Sequence, residues 1–99
     1  MTVYAVTYHY VADDEAISAH RPAHRAYLTA LLEAGTLLTA GPTAGRSTPS
    51  ALLIFEADSV ADVEKLLDAD PFSLEGIVTG REIYEWNVVL GSVGGGSGQ

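Results

Sequence analysis

The side chain best placed for proton-transfer chemistry is His24, which shares one stripe of a predicted helix with Leu28, Leu31 and Gly35. These residues follow one another at spacings of four, three and four positions, which puts side chains on one helix face. The stripe is otherwise apolar, so we expect it to face the core. An imidazole titrates near neutral pH and serves as a general acid or base, but inside a core it needs a polar partner.

Asp70 is the carboxylate that the predicted topology brings towards this imidazole. It precedes Pro71 at the end of a second predicted helix, where a negative charge is mildly unfavourable unless it has a cationic or donor partner. A carboxylate in that position would orient the imidazole and stabilise its charged form. The structural alternatives are a helix-start histidine held by a hydrogen bond and a carboxylate in an ordinary turn.

Several basic residues suggest ligand binding near His24. His20 and His24 are four residues apart, as two metal ligands on a helix would be, but no third ligand at a recognised spacing follows, so we predict no metal. Arg21 and Arg46 are candidates for binding a carboxylate or phenolate group of a small-molecule ligand. Arg25 is expected to point outward.

The remaining candidates would shape the walls of a pocket. Gly41 and Pro42 form a turn whose backbone is able to approach a ligand closely, although ordinary turn chemistry explains them equally well. Phe72 and Trp86 are aromatic candidates for an apolar lining, with core packing as the alternative. The sequence has no glycine-rich dinucleotide loop and no P-loop, so we predict no cofactor.

The elements that must position these residues alternate between strands and helices, as hydrophobic period and residue type indicate. Asp14–Ala19 is expected to form a short preliminary turn, Pro22 to open the first helix, and Gly41–Ser50 to be a loop. Residues 1–90 are expected to form one domain, followed by a flexible Gly/Ser-rich tail at 91–99. Strands are predicted at Thr2–Tyr10, Thr36–Ala40, Ala51–Ala57 and Ile77–Leu90, and helices at about Arg21–Ala34 and Ser59–Asp68.

This β-α-β-β-α-β order predicts an α+β fold, a ferredoxin-like sandwich of a four-stranded antiparallel sheet with two helices on one face. The direction of each element puts the chemistry at one end, which would gather His9, Tyr10, His20, His24, the loop after the second strand, and Asp70. Three strands are apolar on both faces, although the helices cover only one. We therefore expect a second subunit to cover the other face, giving a homodimer in the form of a dimeric α+β barrel.

Composition excludes other classes of function. The net charge is −8 with only five Lys and Arg residues, so no basic patch for nucleic acid is expected. The sequence has no cysteine, which excludes disulfides and thiolate chemistry. No signal peptide or membrane-spanning segment is visible, so we expect a cytoplasmic protein without membrane attachment.

The sequence resembles the YCII-like (YciI-related) family of the dimeric α+β barrel superfamily from about Val3 to Val89. The matching motifs are His20-Arg21-Pro22-Ala23-His24, Leu37-Leu38-Thr39-Ala40-Gly41-Pro42, Ala69-Asp70-Pro71-Phe72 followed by Gly76, and a last strand with Trp86. The resemblance implies a small dimer with an active-site cleft in each subunit, where a histidine pairs with an aspartate at the positions of His24 and Asp70.

Some members of that family are similar to dehydrochlorinases of chlorinated hydroxyquinols or, in fold, to muconolactone isomerase. The resemblance therefore implies a cofactor-independent lyase or isomerase that uses a His-Asp acid–base pair on small cyclic or aromatic-derived compounds. The alternative is a non-catalytic homodimer that binds a small ligand or has a structural role.

Overall fold

The computed structural model describes residues 1–45 and 47–93, and its elements follow the predicted order with one additional helical turn. Its four strands form one antiparallel sheet in the order β2-β3-β1-β4, so the predicted ferredoxin-like α+β fold is confirmed. The predicted tail lies outside the described residues from position 94 onwards. The elements are β1 (Thr2–Tyr10), α1 (Asp14–Glu33), β2 (Leu37–Thr43), β3 (Ser50–Ala57), α2 (Val60–Asp68), α3 (Pro71–Leu74) and β4 (Val78–Glu85).

The core lies between the helices and one face of the sheet. Side chains alternate along a strand, so every second residue of β1 and β3 points towards the helices. Val6, Tyr8 and Phe55 are completely buried there, together with Val63 of α2. This alternation fixes which tyrosines of β1 reach the helices. The buried residues of β1 and β3 on this face are Tyr4, Val6, Tyr8, Tyr10, Ala51, Leu53, Phe55 and Ala57.

Helix α1 begins earlier than predicted and runs through Pro22. Asp13 is its N-cap and accepts a hydrogen bond from the amide of Ala16 at 3.1 Å, which stabilises a start well before the proline. Pro22 supplies no N–H to the carbonyl of Ser18, but both residues are exposed and water can hydrate that carbonyl. Among the described helices, none is apolar enough to cross a bilayer, although α1 has 20 residues.

Strand β2 is longer than predicted at its carboxyl end, so Gly41 and Pro42 belong to a strand rather than to a loop. Gly41 pairs with Leu52 and Pro42 with Ala51 across the β2–β3 ladder. Proline is tolerated because β2 is an edge strand, where a missing N–H does not interrupt pairing on both sides. The connecting loop is shortened to residues 44–49, and β4 ends at Glu85 instead of continuing to residue 90.

The sheet face away from the helices, here called the outer face, carries an apolar groove of about 310 Å³ lined mainly by Leu52, Ile54, Tyr84 and Trp86. Trp86 is 41% exposed, so the interpretation as a core residue is wrong. It does line an apolar surface, but on the outer face and not in the cavity that contains His24. The reason is strand alternation, which places it on the same face as Tyr84.

The outer face also carries His9, which the sequence placed with the other histidines. Its Nε2 lies 2.7 Å from Oε1 of Glu82, which also accepts a hydrogen bond from the Thr7 hydroxyl. These hydrogen bonds, that from Thr7 first, hold the pKa of the Glu82 carboxyl below its usual value. His9 therefore lies at the predicted end of β1 but on the face of the sheet opposite to His24, so the two side chains do not share a site.

Candidate functional site

Asp70 lies at the junction of α2 and α3, with its side chain completely buried. It is the N-cap of α3 and its Oδ1 accepts a hydrogen bond from the Phe72 amide at 2.9 Å, while Pro71 takes the first helical position. An aspartate followed by proline is a signal for the start of a helix. From the sequence we predicted only the end of the preceding helix at this position. The cap fixes the carboxylate in one orientation.

The buried carboxylate holds the imidazole of α1. His24 Nδ1 lies 2.8 Å from Oδ1 and 3.0 Å from Oδ2 of Asp70, so the expected proximity of the two side chains is confirmed. A carboxylate only accepts, so Nδ1–H donates and the proton of a neutral ring resides on Nδ1. With Nδ1 held by Asp70, Nε2 is the ring nitrogen left for a ligand, and 8% of His24 remains exposed.

Phe72 fixes the plane of the same imidazole. The two rings are stacked with centroids 3.8 Å apart and an angle of only 2° between their planes. Phe72 is in turn held by an edge-to-face contact with Tyr10 at 5.3 Å. His24 is therefore restrained both in its hydrogen bond and in its ring orientation, which a proton-transfer group requires.

Tyr8 is a member of the site that sequence reasoning missed. Its hydroxyl donates to Oδ2 of Asp70 at 2.9 Å, so the carboxylate accepts three hydrogen bonds, from Tyr8, His24 and Phe72. The alternation of β1 indicated that Tyr8 faces the helices, but no sequence signal identified its partner 62 positions away.

The phenols of Tyr8 and Tyr10 are neutral at ordinary pH. Burial, and then the charge of Asp70, raise the pKa of Tyr8 well above its usual value. Burial and the same carboxylate raise the pKa of Tyr10 to about 12, against a smaller opposing effect of Arg21. Ionisation of either phenol would place a second negative charge beside Asp70.

A cavity of about 530 Å³ opens between α1 and the strands β2 and β3. His24 lies in its wall, as do the predicted binding residues Arg21, Gly41, Pro42 and Phe72. The cavity therefore combines an imidazole edge with two arginines, a backbone strand and an apolar lining. Its lining includes Tyr10, Arg21, His24, Arg25, Leu28, Leu32, Leu37, Leu38, Leu53 and Phe72.

Among the other basic residues, Arg25 differs from expectation. Arg25 lines the cavity, so the prediction that it points outward is wrong; it lies four positions after Arg21 and therefore on the same face of α1. His20 is not among the residues of the cavity wall, and Arg46 lies outside the described residues. Within residues 1–45 and 47–93, no three His, Asp or Glu side chains converge as metal ligands would.

The family of the chain follows from a match along nearly all of the domain. The YCII-related domain family matches residues 1–87. The chain belongs to this family. No curated protein matches its sequence significantly.

Solved structures share the fold of this YCII-related chain. It is similar to 5-chloro-2-hydroxyhydroquinone dehydrochlorinase from Burkholderia phenoliruptrix AC1100, solved in complex with 2,5-dihydroxybenzoquinone, with a TM-score of 0.74 at 24% identity over 86% of this chain and 93% of that one. An uncharacterised NIPSNAP domain protein from Burkholderia xenovorans has a TM-score of 0.58 at 15% identity, covering 90% and 95%. A dimeric ferredoxin-like protein from an uncultured marine organism has a TM-score of 0.55 at 13% identity, covering 93% and 92%.

In this YCII-related protein the arrangement is able to move one proton. A neutral imidazole protonated on Nδ1 presents a lone pair at Nε2, and Asp70 behind it stabilises the positive charge that forms when Nε2 takes a proton. Asp70 itself is sealed from the cavity, so it reaches a ligand only through His24.

Proposed function

We propose that this YCII-related protein is a cofactor-independent acid–base enzyme, a lyase or isomerase of small cyclic or aromatic-derived compounds. The observation that carries the proposal is the different exposure of the two side chains: His24 lines the cavity, while Asp70 is completely buried behind it. In this pair His24 is the catalytic residue and Asp70 is the positioning residue. A protein that only binds a ligand has no need for a histidine at the cavity wall with a buried carboxylate behind it. A His-Asp pair sealed in the core would have favoured the non-catalytic role.

The proposed reaction uses His24 twice. Nε2 takes a proton from an acidic C–H or O–H group of the substrate, and the imidazolium that forms is stabilised by Asp70 at 2.8 Å. In an isomerisation, Nε2 returns the proton to another atom of the same substrate. In an elimination, the electron pair expels a leaving group such as chloride and the proton passes to solvent.

Two comparisons support this choice of chemistry. The chain belongs to the YCII-related domain family, and its resemblance to that family implies acid–base reactions on small cyclic compounds. The structurally similar dehydrochlorinase was solved with 2,5-dihydroxybenzoquinone, a planar acidic ring compound. A cavity of about 530 Å³ with Phe72 at its inner end has room for such a ring.

The other predicted site residues have binding roles in this proposal. Arg21 pairs with an anionic group of the substrate, Phe72 contacts its ring, and Gly41 and Pro42 form the opposite wall. Arg46 keeps the binding role that its sequence position indicates, as a proposal from the sequence alone.

The test of the proposal is turnover by the purified wild-type protein. We expect chloride release from 5-chloro-2-hydroxyhydroquinone or isomerisation of a muconolactone, or at least exchange of a substrate C–H proton with deuterium in heavy water, followed by NMR. A protein that binds these compounds in the cavity, yet releases no chloride, forms no isomer and exchanges no proton, would be a binding module and would overturn the proposal.

We further propose that the protein is a homodimer that pairs through its outer face. Tyr84 is 56% exposed and Trp86 41% exposed around an apolar groove there, which is a costly surface for a monomer. A structurally similar protein is described as a dimeric ferredoxin-like protein. A second copy would cover the groove and leave the cavity on the helix side open.

Leu52→Lys is expected to convert this dimer into a folded monomer, because it places a charge in the apolar groove at a residue that is 40% exposed in the single chain. Light scattering after size exclusion should give twice the chain mass of 10.4 kDa for the wild type and the single mass for the variant. Leu74→Lys, at a 69% exposed residue outside the groove, is the matched control and should remain dimeric. A wild-type protein that is monomeric at micromolar concentration would contradict the proposal.

A further inference from the structure

We propose that the ligand of the cavity is an amphipathic anion, with an acidic head at Arg21 and Arg25 and an apolar substituent that extends along α1 towards Leu32. This inference rests on the proposed function only in taking the cavity as the substrate site. It names the class of compound that the walls select, which the acid–base pair alone does not.

The first argument is the distribution of positive charge. The chain carries a net charge of −8 with five Lys and Arg residues, so most of its surface repels anions. Two of those five, Arg21 and Arg25, line the same cavity. Arg81 is paired with Asp68 at 2.9 Å, whereas neither cavity arginine makes an ion pair with a described residue.

The second argument is the position of the two arginines relative to the proton-transfer group. Arg21 and Arg25 are four residues apart on α1 and are neighbours on its surface, with His24 between them in sequence. Like charges at this spacing repel each other, so a bridging anion would stabilise the pair. The head group that binds there lies beside the imidazole edge, where the proposed proton transfer takes place.

The third argument is the change from charged to apolar along the same wall. Beyond His24, the face of α1 in the cavity continues with Leu28 and Leu32, and Leu37 and Leu38 of β2 also line the cavity. The Cα atoms of Arg21 and Leu32 lie about 16 Å apart along the helix axis, which is longer than a single six-membered ring. A compound that filled only the charged end would leave this apolar wall in contact with water.

The charge of the head is tested with 2,5-dihydroxybenzoquinone carrying a 3-hexyl chain and with the neutral 2,5-dimethoxy analogue, by isothermal titration calorimetry. We expect the acidic compound to bind at least about tenfold more tightly than the neutral one. The double variant Arg21→Gln/Arg25→Gln should lose about tenfold or more in affinity for the acidic compound. Lys65→Gln, a single change at an exposed residue of α2 outside the cavity, is the control and should bind as the wild type does.

The apolar end is tested with the hexyl compound against unsubstituted 2,5-dihydroxybenzoquinone. The hexyl chain should improve affinity by at least about tenfold, which burial of only two or three of its methylenes would supply at roughly two- to fourfold each. Leu32→Gln should remove most of that gain without affecting the unsubstituted compound, and it is 51% exposed, so the fold should tolerate it. Leu74→Gln, also exposed but outside the cavity, should leave the gain unchanged.

Equal binding of the neutral and acidic compounds, or no gain from the hexyl chain, would overturn the inference. These measurements record binding without turnover, so their outcome is separate from that of the proposed function. Binding that depends on charge and chain without any proton transfer would leave the inference standing and overturn only the enzyme. Turnover of 5-chloro-2-hydroxyhydroquinone without dependence on Arg21, Arg25 or Leu32 would overturn the inference and leave the proposed enzyme activity standing.

Discussion

His24→Gln is expected to lower kcat by about 10²- to 10⁴-fold, which is the usual contribution of general acid–base catalysis. Glutamine keeps a side-chain N–H that can donate to Asp70, so the buried carboxylate retains a partner. What the variant lacks is a group at the cavity edge that exchanges a proton near neutral pH. Steady-state kinetics on the compound that the wild type converts, with thermal unfolding to check the fold, is the measurement.

The matched control for this variant is His20→Gln, one helical turn earlier on α1 and outside the cavity wall. It makes the same chemical change on the same helix and should retain wild-type kcat. A His24→Gln protein that kept about a tenth or more of wild-type kcat would show that His24 is not the group that transfers the proton.

Asp70→Asn is expected to lower kcat by about 10²- to 10⁴-fold and also to destabilise the protein. The carboxylate accepts from three donors, and an amide offers one oxygen and an NH₂ group that faces donors instead. If the NH₂ group donates to Nδ1 of His24, the ring proton moves to Nε2, and the lone pair at the cavity edge is lost. An unsatisfied buried donor costs about 1–3 kcal/mol, which should appear as a lower free energy of unfolding.

Nitrogen NMR of the imidazole separates the two effects of this substitution, because it reports which ring nitrogen carries the proton. Asp68→Asn, two residues earlier and exposed at the end of α2, makes the same change in charge and should keep kcat and the tautomer of His24. An Asp70→Asn protein with a destabilised fold but full kcat would assign Asp70 a structural role only.

The sequence predicted which side chains share a face of a helix or strand, but it did not identify the aspartates that cap α1 and α3. The period of α1 placed His24 inward, and the alternation of the last strand separated Ile83 from Tyr84 and Trp86, as the structure has them. Topology then brought the two halves of the dyad together, because both helix ends lie at one end of the sheet. Each of these predictions depends on a repeating pattern over many residues.

The errors concern single residues whose role depends on one local contact. Asp13 and Asp70 cap α1 and α3 through one side-chain oxygen each, and acidic residues are equally common in loops. The hydrogen bond from Tyr8 to Asp70 joins residues 62 positions apart, and only the packed structure identifies it. Which face of the sheet Trp86 occupies relative to the cavity likewise depends on how the helices cover the sheet.

Asp70 has two roles, as the N-cap of α3 and as the hydrogen-bond partner of His24, and this affects how the site changes during evolution. One carboxylate both starts α3 and holds the imidazole, so a lineage that abandons the reaction still needs that carboxylate to fold. The structural role of His24 is to donate a hydrogen bond to Asp70 and to stack on Phe72, and another donor can take over the hydrogen bond once proton transfer is no longer selected. Among descendants of such a chain, retention of the aspartate therefore records the ancestry of the fold, and retention of the histidine records continued use of the chemistry.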